Sequence, residues 1–98
     1  MERQKFYEEL GGKIKTLRER FITGKKMSQE QLGRSPYVVL SKTTIANIEA
    51  GRQQVSVHQL FGIAKALDVL VTDLLTGLEV EVEENGLSKE VKKFVKQL

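Results

Sequence analysis

The same four-residue punctuation occurs twice in the chain, as Ser28-Gln29-Glu30-Gln31 and as Ser56-Val57-His58-Gln59. A serine three residues ahead of a glutamine forms a capping box: the hydroxyl takes one orphan backbone N–H and the amide takes another. Two such starts commit the chain to short, separately capped helices. Apolar spacing agrees. Leu10, Ile14, Leu17 and Phe21 recur at helical intervals, predicting a first helix opened by Phe6 and ended by Thr23-Gly24. The second helix starts at Ser28, carries Leu32 and stops near Ser35, because Pro36 restricts its predecessor and supplies no N–H. Ser41 caps a third, with Ile45 and Ile48 inward and Gly51 as its stop. Ser56 opens a fourth, whose apolar face is Leu60, Ile63, Ala64 and Leu67; Thr72 caps a short fifth through Leu74 and Leu75, ended by Gly77.

After Gly77 the pattern changes. Leu78-Glu79-Val80-Glu81-Val82-Glu83 alternates as a strand does, Asn85-Gly86 signals a turn, and Ser88 can cap a last helix. Leu87, Val91, Phe94, Val95 and Leu98 share one side of that helix. The expected architecture is all-α: a five-helix body over residues 6–77, then a short strand-plus-helix appendix over 78–98.

Composition excludes several chemistries. In 98 residues there is one His and no Cys, so the sequence offers no disulfide framework, no Cys/His zinc site and no thiol nucleophile. His58 alone would have to fill every His-dependent acid–base role, and it reads as an ordinary helix residue. The expectation is a binder, not an enzyme, with no cofactor and no metal. The first twenty residues are too charged for a signal peptide, and no apolar run approaches the roughly 20 residues that span a bilayer. A cytoplasmic protein without a membrane partner is expected.

The net charge of +3 matters less than its placement. Residues 1–27 hold eight cations against four glutamates, while residues 77–98 hold four lysines against five glutamates. A cationic first half beside a neutral or acidic second half suits a protein that shows one side to a polyanion. Ordinary solvated helix faces would read the same way.

Two short capped helices joined by a tight connector form a helix-turn-helix candidate. Its second helix must be polar at its start and exposed on one side, because those residues meet base edges in the major groove. Ser41-Lys42-Thr43-Thr44-Ile45-Ala46-Asn47-Ile48-Glu49 meets that need, with Lys42, Thr43, Ala46 and Asn47 opposite Ile45 and Ile48. Lysine can donate to guanine, asparagine can pair with adenine, and a threonine methyl can meet that of thymine. A plain surface helix of an all-α bundle is the competing reading.

Residues 11–76 resemble the phage-repressor/Cro-type (XRE-like) helix-turn-helix family. The resemblance rests on Gly12-Lys13-Ile14-Lys15-Thr16-Leu17-Arg18 and Met27-Ser28-Gln29-Glu30-Gln31-Leu32. It continues through residues 41–52 and Ile63-Ala64-Lys65-Ala66-Leu67-Asp68-Val69. It implies a five-helix, repressor-like DNA-binding domain that works as a homodimer on double-stranded DNA. Carried over by position, Lys42, Thr43 and Asn47 read bases, while Gln29, Ser41 and Arg52 hold phosphates, assisted by Gln53. Arg18 and Glu49 match a structural ion pair between the first and third helices. The chain departs from the family in the connector, which is about two residues longer, with Pro36 and Tyr37 where a small residue and glycine are typical. Gly33 stands where alanine is usual. Tyr37 is left with three roles open: packing, DNA contact or partner contact.

The tail has its own reading. Glu79, Glu81, Glu83 and Glu84 are a solvated face or, less economically, a cation site. Leu78, Val80 and Val82 need a partner strand, and this chain shows no other. Pairing with a second copy, covered by Val91, Phe94 and Val95, would make 78–98 a dimerisation element. The function expected is a sequence-specific transcriptional regulator, a repressor on a near-palindromic operator. The alternative is an antitoxin-like or co-regulator module, held to a protein partner of unknown identity, for which DNA is secondary.

Overall fold

The computed structural model describes residues 2–20 and 26–78. The regular elements there are all helices: α1 (Arg3–Glu19), α2 (Gln29–Arg34), α3 (Lys42–Glu49), α4 (Val57–Ala66) and α5 (Val71–Leu75). The all-α, five-helix body is therefore what the described residues form. The expected strand and last helix, with Val80, Val82, Val91, Phe94 and Val95, lie outside the described residues, as do Phe21 and Lys25.

Both capping boxes form. Ser28 Oγ accepts from the Gln31 N–H at 3.0 Å, and Gln31 Oε1 accepts from the Ser28 N–H at 2.7 Å. At α4 the matching distances, between Ser56 and Gln59, are 3.1 and 2.9 Å. Ser41 caps α3 by accepting from the Thr44 N–H at 3.1 Å. At its far end, Gly51 takes a left-handed φ of 77°. Its N–H donates to Ile48 O and that of Arg52 to Asn47 O, the paired bonds of a Schellman stop.

Three boundaries differ from expectation. α1 starts at Arg3, ahead of Phe6, because Gln4 Nε2 donates to Gly51 O and the rings of Phe6 and Tyr7 pack edge-on at 5.3 Å. It also ends at Glu19, where the Arg18 carbonyl accepts from the Met27 N–H; Thr23-Gly24, expected to end it, lie outside the described residues. α5 is capped at Leu70, not Thr72; the Asp73 carboxylate accepts from the Leu70 N–H at 2.9 Å and draws the start back.

The core takes one stripe from each helix: Leu10 and Ile14, Leu32, Ile45 and Ile48, Leu60 and Ile63, and Leu74, with Val38 from the connector. Leu78 is half-buried against this same core, so the root of the proposed strand is seated on its own body.

The connector between α2 and α3 lies in a slot. Val38 and Val39 both donate to Ser35 O, and Leu40 donates to Gly33 O at 2.9 Å. A Cβ on Gly33 would stand 2.2 Å from Leu40 O, and one on Gly62 of α4 would stand 2.1 Å from Tyr37 O. Two glycines thus let the connector backbone touch α2 on one side and α4 on the other. The connector's path and the two glycines are one feature.

Within it, Val39 adopts φ 50°, a left-handed conformation unfavourable to a β-branched residue by about 1–2 kcal/mol. Its side chain is 75% exposed, so little packing is lost on replacement. Val39→Asn should stabilise the fold by roughly 1 kcal/mol, raising the melting temperature by about 4–8 °C. Thermal unfolding followed by circular dichroism checks it; an unchanged or lower midpoint contradicts the strain.

Candidate nucleic-acid interface

The interface is built around a buried ion pair. Arg18 of α1 donates through Nε to Glu49 Oε2 at 2.7 Å and through Nη2 to Oε1 at 2.9 Å. Its Nη1 donates to Met27 O at 2.8 Å, just ahead of α2. Each residue of the pair is 7% exposed, so the geometry is bidentate and largely dry. The hydrogen bonds it donates to Glu49 hold the Arg18 guanidinium above its ordinary pKa, against the opposing effect of burial. The guanidinium therefore stays charged at neutral pH, and its side of the pair is lost only as pH rises through its raised value.

Gln29, expected to hold a phosphate, also has a partner within the fold. Its Nε2 donates to Glu49 Oε1 at 3.0 Å, and the residue is half-buried. The donor at the start of α2 is turned towards the ion pair, so α1, α2 and α3 all meet at one carboxylate. No local sequence signal announces this, because Gln29 and Glu49 are twenty residues apart. Among the described residues, every buried side-chain N or O has a hydrogen-bond partner.

With one side of α3 fixed this way by Ile45, Ile48 and Glu49, the other side faces out. Lys42 and Thr43 are exposed and Asn47 is half-buried. Ser41 is exposed, but its hydroxyl already serves the cap and lies 2.9 Å from Thr44 Oγ1. Arg52 and Gln53 are both exposed just past the helix, and their N–H groups converge on Asn47 O. The loop after α3 is thereby tied to the residue expected to read bases. Tyr37 lies on another part of the surface, its half-exposed ring 5.0 Å beneath Lys65 Nζ. Of its three open roles, the contact seen is packing against that cation.

Among the described residues no group of three or more His, Cys, Asp or Glu could hold a metal, and no helix is long and apolar enough to cross a membrane. What the arrangement offers is a short polar helix, held rigidly from behind and flanked by an exposed arginine. Fold and site together define a DNA-binding transcription regulator of the helix-turn-helix class.

The comparisons agree. A helix-turn-helix family model matches residues 14–74, more than half of the chain, and the chain belongs to that family. Among solved structures it is similar to the restriction-modification controller protein C.AhdI from Aeromonas hydrophila, with 26% identity and a TM-score of 0.63. That match covers 76% of this chain and 99% of the other. A search of curated proteins finds no match.

Proposed function

We propose that this regulator recognises a specific operator, near-palindromic in sequence, and represses by occupying a promoter as a homodimer in the cytoplasm. The observation that carries the reading is α3: Lys42, Thr43 and Asn47 on its outward side, the buried Arg18–Glu49 pair behind it. In this reading those three residues read base edges, while Ser41, Arg52 and Gln53 anchor phosphates. Gln29 assists mainly by holding Glu49 in place. Residues 78–98 join two copies through Val80, Val82, Val91, Phe94 and Val95, with Leu78, which packs on the 6–77 body, as the root of the element. The likeness to a restriction-modification controller protein supports gene control as the role, and makes genes of that kind the first to test for regulation.

Selecting bound sequences from a random duplex pool tests the reading, because a symmetric site reports both half-site and dimer. On the selected site, Asn47→Ala should lose about 1–3 kcal/mol of discrimination while its affinity for random DNA changes little. Arg52→Gln should weaken both alike. Equal losses on the two DNAs for Asn47→Ala would remove it from the reading set.

A further inference from the structure

We propose that Arg3 and Arg52 form an anion cradle for one backbone phosphate of bound DNA, carrying the interface from the loop after α3 onto the first turn of α1. The inference rests on the DNA-binding reading above and adds a contact outside the matched helix-turn-helix segment, which begins at residue 14.

Both arginines line a single polar pocket of about 460 Å³, together with Gln4, Tyr7, Gln54 and Glu2. Its walls come from parts of the chain far apart in sequence. They are locked together, since Gln4 Nε2 donates to Gly51 O at 3.1 Å. Arg3 is also held from the side: with the Gln54 amide turned to accept, its oxygen takes both Arg3 Nε, at 3.0 Å, and Nη2. That contact orients the guanidinium and leaves Nη1 as the terminal donor for a ligand. Arginine's planar fork matches phosphate oxygens, and two arginines outweigh the single Glu2 carboxylate in the pocket. The pocket is lined by Arg52, directly after the helix that in the DNA-binding reading enters the major groove, and that reading brings the duplex backbone past it. A phosphodiester there would meet positive charge from two elements at once.

The extra start of α1 explains why this site escapes a local reading. Arg3 and Gln54 lie at opposite ends of the α1–α3 segment, and spacing opens the helix only at Phe6.

The full-length chain is titrated with a labelled duplex of arbitrary sequence between about 50 and 200 mM salt. Arg3→Gln should weaken binding about three- to tenfold at the lower salt and flatten the log–log salt slope by up to about 0.9 per bound protomer. Lys5→Gln, exposed on the same helix but outside the pocket, should leave the slope unchanged. In an Arg52→Gln background, Arg3→Gln should cost less than it does alone, because both would serve one phosphate. A wild-type slope for Arg3→Gln, an equal flattening by Lys5→Gln, or strictly additive losses would each overturn the cradle. Salt-independent or absent binding by the unmodified chain would instead overturn the DNA-binding reading itself. Unchanged circular dichroism of each variant shows that the losses are local.

Discussion

Arg18→Met is expected to reduce the unfolding free energy by about 3–5 kcal/mol, enough to unfold much of a domain this small at ordinary temperature. The reason is less the attraction lost than the carboxylate left behind. Glu49 is 7% exposed, and without Arg18 it keeps only the Gln29 amide as partner. Its ionised form would then lie in a poorly solvated site, while Met27 O would lose its donor. Removing both charges should recover most of the loss: an Arg18→Met/Glu49→Leu double variant leaves no buried charge unpaired. Arg18→Lys should fall between, keeping the charge but losing the fork. Denaturant unfolding of the four proteins measures this directly. A loss below about 1 kcal/mol in Arg18→Met would mean that the site is wet and the pair incidental. The double variant also separates stability from function. If it folds but binds DNA weakly, the pair's further work is to hold α3 at its angle.

Gly33→Ala is expected to cost about 3 kcal/mol, the upper part of the usual range for overpacking. A single methyl would meet the Leu40 carbonyl at 2.2 Å, and that atom belongs to backbone tied by its own hydrogen bond to Gly33 O. The connector can yield only by leaving the slot, and Gly62 closes the slot on the α4 side. Gly12→Ala serves as the control. Nothing lies within 4 Å of its added Cβ, so helix propensity alone should make that variant more stable, by roughly 0.5–1 kcal/mol. Opposite signs for one chemical change, measured by the same denaturation, would isolate close approach as the cause. A neutral Gly33→Ala would show that the connector moves easily.

Helix starts and stops were legible because their determinants are local. Ser28 with Gln31, Ser56 with Gln59, and Gly51 each act within one turn. The stripe of Ile45 and Ile48 likewise told which side of α3 is buried, and so which side is presented. The start of α5 is local too, yet Thr72 reads as its cap, because an Asp73 carboxylate reaching back three residues to Leu70 resembles an ordinary first-turn acid in sequence. Where partners lie far apart, spacing carries no signal. The inward turn of Gln29 depends on a carboxylate on another helix. Gly33 was visible as a departure from the family pattern, but the carbonyl pressing on it was not. Val39 carries no mark of a left-handed residue; asparagine or glycine would have announced the bend that this valine makes.

The slot also bears on how such a domain can be exchanged or evolve. Because the connector is gripped by α4 as well as α2, the bearing of α3 is set against a helix that follows it in the chain. Residues 28–51 are therefore not a transplantable reading head. A chimera that moved them into a related bundle with a larger residue in place of Gly62 would keep the base-facing side chains but aim them elsewhere. The smallest portable unit runs on through the first turns of α4, and insertions that lengthen the connector can persist only where both glycines come with them.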